Sequence, residues 1–179
     1  MRTESIHIRK LAILIVFTAL AIAISPFTVF VVSGSKANPT QHMTNAILGV
    51  LLGPFWAVAA AVMIGAVRNM LGVGTVFAFP GGIPGGFVVG SVYWILKRFK
   101  RSEKTRLMSA LAEPIGTLLI GVPISVFMVA PWLGQPIANS LIFGFGWALS
   151  CIPGSMIGFT VLLILKRIGI GKETLFGEK

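Results

Sequence analysis

The chain has little charge, and most of what it has is positive. Only 11% of its 179 residues are charged and 55% are apolar, whereas an average soluble domain has about 25% charged residues. A chain this poor in charge cannot cover a water-facing surface, so we expect an integral membrane protein. At about 20 residues per spanning helix, its length allows at most about six or seven spans with short loops.

Aspartate is absent, and all five acidic residues are glutamates. Of these, only Glu113 falls within an apolar segment. Acid–base catalysis would need a second carboxylate there, and a Ser/His/Asp arrangement would need an aspartate. The sequence therefore does not predict an enzyme. We expect Glu113, on the inner side of its span, to be structural, with proton or partner binding as the alternatives.

Cysteine and histidine are equally scarce. A single cysteine, Cys151, excludes an internal disulfide, and the two histidines lack neighbours at metal-site spacing. The stretch Gly169-Ile170-Gly171-Lys172 does not meet the spacing of a phosphate loop. We therefore expect no metal or cofactor in this chain, and any ATP must be used by another subunit.

Six apolar segments follow one another, at about 10–32, 42–52, 55–70, 83–96, 107–129 and 137–165. The first continues through Pro26 for about a full span, so we interpret it as a helix and not as a signal peptide. The second and fourth are short for a lone span. In a transporter, such short segments point to shielding by neighbouring helices or to a binding site.

Basic residues are distributed unevenly between the two sides of such a bundle. With the N-terminus inside, thirteen of the fifteen lie inside, and only Lys36 and Arg68 lie outside. The positive-inside rule then predicts an even number of spans, six here, with both termini in the cytoplasm. A net charge of +10 would suggest a nucleic-acid partner in a soluble protein. Clustering of the charges between apolar segments argues against one.

Neutral polar and aromatic side chains collect at the predicted outer ends of the helices. Polar groups within a membrane are costly and tend to mark function, so we predict an outward-facing pocket there. Each residue also has an ordinary alternative, as a helix cap, a member of an aromatic belt or a snorkelling cation. As a group they predict a substrate site made of His42, Asn45, Arg68, Asn69, Thr75, Phe79, Trp132, Gln135 and Asn139.

Small residues recur at four-residue spacing in three segments, which lets helices approach closely. The pair Ala19 and Ala23 in the first segment either packs internally or docks a partner helix. We expect the other faces to pack inside the bundle, namely Gly82, Gly86 and Gly90 in the fourth segment and Gly154 and Gly158 in the sixth.

Two stretches carry a resemblance to a known family. They are Pro39-Thr40-Gln41-His42-Met43-Thr44-Asn45 and Arg68-Asn69-x-x-Gly72-x-Gly74-Thr75-x-x-Ala78-Phe79-Pro80-Gly81. With six short spans, they resemble the ThiW-type substrate-binding (S) components of energy-coupling-factor (ECF) vitamin transporters. The resemblance covers nearly the whole chain. Its loop motif is more specific than the six-helix layout.

The resemblance implies an all-α, six-transmembrane-helix bundle of the ECF S-component type in a prokaryotic plasma membrane. Such a component would capture a thiamine precursor, with hydroxyethylthiazole as the expected ligand. It would deliver that ligand with a transmembrane coupling protein and two ABC-type ATPases. The alanine pair Ala19 and Ala23 matches the face with which S components meet the coupling protein, whereas exact ligand contacts do not transfer from other vitamin carriers.

Other functions stay open at this point. An S component for thiamine, hydroxymethylpyrimidine or another vitamin would have the same layout. A small channel would need a polar stripe along several helices, and the polarity is confined to one end. A membrane-embedded enzyme would need convergent ionisable residues, and the spans offer only Glu113.

Overall fold

A computed structural model describes residues 2–32, 35–135, 137 and 139–177, with the backbone alone for residues 2–5 and 35. The fold is helical apart from one short hairpin, in which β1 (Phe30–Val32) pairs antiparallel with β2 (Ser35–Ala37). The helices are α1 Arg2–Thr28, α2 Pro39–Leu52, α3 Pro54–Met70, α4 Ala78–Arg98, α5 Glu103–Trp132, α6 Ser140–Arg167 and α7 Lys172–Phe176.

Successive long helices run in opposite directions, so their termini gather at two ends of the bundle. At the end that we call the basic end, α1, α3 and α5 begin, α2, α4 and α6 finish, and α7 packs on α1. There Arg9 donates a hydrogen bond to the carbonyl of Leu175 at 3.2 Å, and Lys10 lies over the Phe176 ring. The opposite end, which we call the hairpin end, holds β1 and β2 and the other helix termini.

Four helical stretches in the described part of the chain are long and apolar enough to cross a membrane, namely Ile6–Thr28, Ala78–Arg98, Glu103–Trp132 and Ser140–Arg167. The helix α3 is apolar but shorter, and α2 has only 14 residues, or about 21 Å at 1.5 Å per residue. The structure is therefore that of a helical membrane protein. Six spans and cytoplasmic termini stay predictions.

Helix α4 is longer than the fourth predicted segment, because it begins at Ala78, where the sequence pattern predicts a loop. Pro80 lies in its first turn, where a backbone N–H has no intrahelical acceptor to lose. Further along, Pro84 cannot bond to the carbonyl of Pro80, and Gly121 of α5 packs directly against that carbonyl. Tertiary contacts thus hold a Gly/Pro-rich stretch helical.

Helix α1 is shorter at its end than the first predicted segment, because residues 30–32 form a strand instead. The next helix begins with Asn38 as its N-cap, whose Oδ1 accepts from the Gln41 backbone N–H at 3.3 Å. Asn38 Nδ2 donates to the Ser25 carbonyl at 3.2 Å. This cap ties the end of α1 to the start of α2, so that the hairpin has a fixed base.

Glycine faces pack the helices together, as their four-residue spacing predicts. An added Cβ at Gly90 of α4 would come within 2.3 Å of the Pro54 nitrogen of α3. An added Cβ at Gly154 of α6 would come within 2.4 Å of the Pro39 carbonyl oxygen of α2. Both neighbours are backbone atoms, which cannot rotate away. The predicted internal packing of these faces is confirmed.

We expect Gly90→Ala to destabilise the protein by about 1–3 kcal/mol, because the new methyl group would overpack the contact between α3 and α4. Gly144→Ala in α6 is the matched control, since its added Cβ would meet its nearest neighbour, Val122, at 3.7 Å, an ordinary contact. Alanine should there stabilise the helix by about 0.5–1 kcal/mol. Thermal unfolding of detergent-purified protein measures both, and equal shifts would contradict the packing described.

Candidate functional site

A buried carboxylate lies inside the bundle, between α2, α4 and α5. Glu113 is fully buried, and its Oε1 atom lies 2.7 Å from His42 Nδ1. Asn45 Nδ2 donates to the same oxygen at 3.2 Å, and the Thr117 hydroxyl lies 2.9 Å from it. One carboxylate oxygen therefore gathers three side chains, which fixes the position of each. We call these four residues the Glu113 cluster.

The backbone of α4 completes the Glu113 cluster. Asn45 Nδ2 also donates to the Gly82 carbonyl at 2.9 Å, and the Thr117 hydroxyl lies 2.9 Å from the Gly81 carbonyl. An added Cβ at Gly85 would come within 2.2 Å of the carboxylate oxygen Oε1. Glycine at this position therefore lets α4 pass close to the carboxylate.

The buried polar atoms that have no hydrogen-bond partner among the described residues include Glu113 Oε2, Asn45 Oδ1 and the Ser150 hydroxyl. Leaving a buried polar atom unpaired costs about 1–3 kcal/mol. Two of these atoms are acceptors, and the third can both donate and accept. A ligand that carries a hydroxyl or amino donor could supply the missing partners.

A small cavity lies beside the Glu113 cluster, towards the hairpin end. His42 belongs to both, because its ring lines the cavity while its Nδ1 contacts the carboxylate. The cavity volume is about 20 Å³, enough for one water molecule. Its polar and aromatic lining includes Lys36, Gln41, His42, Arg68, Trp147 and Ser150.

Arg68 brings a buried cation to the cavity wall. Its side chain is only 2% exposed and donates to Gln41 Oε1 and, at 3.5 Å, to the Val73 carbonyl. Across the cavity, Lys36 of β2 donates from Nζ to the Gly72 carbonyl. These two cations join the loop between α3 and α4 to α2 and to the hairpin.

The rings of Phe77, just before α4, and of Trp147 in α6 form one side of the cavity. Trp147 is 5% exposed, and its ring centroid lies 4.9 Å from that of Phe143. Phe143 meets Phe77 edge to face at 5.6 Å. Phe77 and Trp147 both line the cavity, which gives a flat ligand an apolar surface to stack on.

The structure brings three of the predicted site residues to this place, His42, Asn45 and Arg68. Asn69 instead pins the adjoining loop, because its Nδ2 donates to the carbonyls of Gly65 at 2.8 Å and Thr75 at 3.1 Å. The Thr75 hydroxyl is buried without a hydrogen-bond partner among the described residues.

Phe79 and three predicted residues at the far end of α5 do not line the cavity. The Phe79 ring packs on Gly65 of α3. Trp132 is 81% exposed at the end of α5, and Gln135 is also exposed. Asn139 caps α6, since its Oδ1 accepts from the Leu141 and Ile142 backbone N–H groups at 3.1 Å. Their roles in binding stay predictions.

Sequence reasoning missed several residues of the site. Glu113 was assigned to the inner side, yet it contacts His42, which was assigned to the outer end. The physical reason is that α2 is much shorter than α5, so the first turns of α2 lie beside the middle of α5. Thr117 gives a usable signal, because it follows Glu113 by one helical turn and shares its face. Gln41 lies within the first of the two family-like stretches, whereas no comparable signal identifies Phe77, Trp147 or Ser150.

Ala19 and Ala23 lie together on the exposed face of α1. Only 22% of the 18-residue apolar stretch of this helix is buried inside the protein. This is the smallest share among the four long apolar helices of the described chain. The pair therefore does not serve internal packing, which was one of its two interpretations.

One comparison with known proteins gives a match. The model of the ThiW family, described as thiamine-precursor transporter protein, matches residues 11–168. No curated protein matches the chain, and neither does any solved structure. The match spans every helix that contributes to the cavity and to the Glu113 cluster.

Proposed function

Because the chain belongs to the ThiW family of thiamine-precursor transporter proteins, we propose that it is the substrate-capture subunit of an ATP-driven ECF importer for hydroxyethylthiazole. The family is one of transporters, which implies a membrane transport protein and not an enzyme. In this proposal the protein resides in the plasma membrane of a prokaryote. It receives its ligand at the hairpin end, which faces outward.

The observation that carries the proposal is the Glu113 cluster with its unpaired atoms. An ionisable group buried among membrane helices is costly and usually functional. Here Glu113 Oε2 and Asn45 Oδ1 are both buried acceptors without a partner among the described residues. The hydroxyl of hydroxyethylthiazole can donate to either of them and so remove one desolvation penalty.

The remaining lining suits a small, mostly neutral aromatic ring. Trp147 and Phe77 offer a surface for stacking, while the Ser150 hydroxyl and the Arg68 guanidinium offer donors for a ring nitrogen. Hydroxymethylpyrimidine and thiamine also have an aromatic ring with a ring nitrogen and a hydroxyl group, so they are the competing ligands. A larger ligand would need more rearrangement, because the cavity is only about 20 Å³.

Ligand binding to the purified protein tests this proposal directly. Isothermal titration with hydroxyethylthiazole, hydroxymethylpyrimidine and thiamine in parallel should give the highest affinity for the thiazole. A preference for one of the other two would replace the ligand and keep the site. Absence of measurable affinity for all three would refute the role in precursor capture.

We expect Asn45→Ala to weaken thiazole binding at least tenfold, about 1.4 kcal/mol. The substitution removes a possible ligand acceptor and also the bonds to Glu113 and to the Gly82 carbonyl. Asn69→Ala is the matched control, because it removes an amide that bonds only to nearby backbone. Titration of both variants checks the difference, and similar losses would contradict a direct role for Asn45.

Two tryptophan variants separate the cavity from the pocket predicted at the end of α5. We expect Trp147→Ala to weaken thiazole binding at least tenfold, because it removes the stacking surface. If the site is the cavity, Trp132→Ala should change binding less than twofold, since Trp132 lies 81% exposed outside it. The reverse pattern in the same titration would move the site to the far end of α5.

Energy for uptake would come from other chains. We propose a transmembrane coupling protein and two ABC-type ATPases as partners, with ATP consumed by the ATPases and no cofactor in this chain. The exposed Ala19/Ala23 face of α1 supports the first of these partners, because small residues allow close contact between helices.

A further inference from the structure

A second and larger cavity lies at the basic end of the bundle, and its lining shares no residue with the Glu113 cluster. Its volume is about 440 Å³. It opens between the last turns of α2, α4 and α6, the first turns of α5, and α7. Apolar side chains of Val50, Leu51, Leu107 and Leu162 form part of its wall.

Four basic side chains line this cavity, and each comes from a different helix. They are Lys97 of α4, Arg106 of α5, Lys166 of α6 and Lys172 of α7. The lining also contains two acidic residues. Of these, Glu103 forms an ion pair with Lys166 at 2.8 Å, so the lining keeps an excess of positive charge.

Two of these cations, Lys172 and Arg106, are held over the ring of Tyr93. Tyr93 is 5% exposed, and its ring lies beneath two cations, with Lys172 Nζ at 4.0 Å and the Arg106 guanidinium carbon at 6.0 Å from the centroid. Arg106 Nε is buried and has no hydrogen-bond partner among the described residues. A donor of this kind is costly to leave unpaired.

We propose that this cavity is a binding site for a phosphate-class anion. Phosphate oxygens accept charge-assisted hydrogen bonds from guanidinium and ammonium groups. One of them would accept a hydrogen bond from Arg106 Nε. Anionic phospholipid headgroups are one source, because basic pockets between helix ends bind them and the apolar wall would receive the adjoining glycerol and acyl carbons. Free phosphate esters are the other source.

The experiment uses the full chain, purified in detergent and delipidated. Native mass spectrometry compares dioleoylphosphatidylglycerol with dioleoylphosphatidylcholine, and calorimetry compares sodium phosphate with sodium chloride at equal ionic strength. We expect phosphatidylglycerol, phosphate or both to bind at least tenfold tighter than the matching control compound. Binding of the lipid alone identifies the headgroup as the source, and binding of phosphate as well identifies the bare anion.

A matched pair of double variants tests the location of the site. Arg106→Gln with Lys172→Gln should weaken that binding at least tenfold. Arg101→Gln with Lys104→Gln removes the same residue types from exposed positions outside the cavity lining, and should change binding less than twofold. Equal losses in the two pairs would overturn the proposal, and so would the absence of preferential binding by either probe in the wild type.

The single variant Lys172→Gln keeps the proposal testable if the double variant does not fold. It lies on the short helix α7, so its effect on the bundle should be small, and unchanged circular dichroism would verify this. We expect a loss of at least threefold in affinity for the probe that binds the wild type. Wild-type affinity in this folded variant would also overturn the proposal.

Discussion

Glu113→Gln is expected to lower the affinity for hydroxyethylthiazole about a hundredfold, or about 2.7 kcal/mol. The carboxylate contacts His42, Asn45 and Thr117 through Oε1 and keeps Oε2 free for a ligand donor. In glutamine, an N–H₂ group would replace either Oε1 or Oε2 of the carboxylate. It would then face a donor of the cluster or the donor of the ligand. The change therefore removes a charge-assisted hydrogen bond and disturbs the arrangement around it. Isothermal titration measures the loss.

Two control variants distinguish this effect from a general loss of structure. Thr117→Val keeps the shape of the side chain and removes its hydroxyl, so we expect a smaller loss of about tenfold. Glu103→Gln replaces an exposed glutamate that pairs with Lys166 at the basic end, and should leave binding unchanged. A Glu113→Gln protein that remains monodisperse and helical yet binds with wild-type affinity would contradict a role for the carboxylate in ligand recognition.

Length and charge predicted the class of the protein because a bilayer imposes them directly. Backbone groups must be satisfied within each segment, and charges must lie outside the hydrocarbon. The glycine faces of α4 and α6 were predictable for a related reason, since close helix contact needs small residues. Gly90 against Pro54 and Gly154 against Pro39 show this contact at backbone level.

The position of Glu113 could not be predicted in the same way. Counting along each segment assumes that all helices span the same depth, and α2, with 14 residues beside the 30 of α5, does not. His42 therefore meets Glu113 inside the bundle. The sequence pattern also placed residues 78–82 in a loop, because glycine and proline have low helix propensity. Contacts with α2 and α5 override that propensity.

Aromatic residues show a further limit of the sequence pattern. Trp132 and Trp147 are both tryptophans in apolar surroundings, and nothing in their local sequence separates a cavity wall from a membrane-facing ring. Their exposed fractions differ widely, at 81% and 5%. That difference depends on the rotation of α5 and α6 about their axes, which tertiary packing sets.

Ala19→Trp and Ala23→Trp are each expected to lower uptake in cells at least tenfold while changing ligand affinity less than twofold. Both alanines are exposed on α1, and the ligand cavity is lined by other elements. A bulky side chain on this face would keep a partner helix from close approach, without disturbing the Glu113 cluster. Uptake of labelled hydroxyethylthiazole should be measured in cells that also express the proposed coupling protein and ATPases.

Leu119→Trp is the matched control for these two variants, because Leu119 is a 71% exposed apolar residue on α5. It adds a similar bulky ring to a different face, so uptake should stay within twofold of the wild type. Loss of uptake in the control alone would place the partner on α5. Unimpaired uptake in both alanine variants would show that the face of α1 contacts lipid. Loss of uptake together with loss of binding would instead indicate damage to the bundle, and would separate a folding defect from a coupling defect.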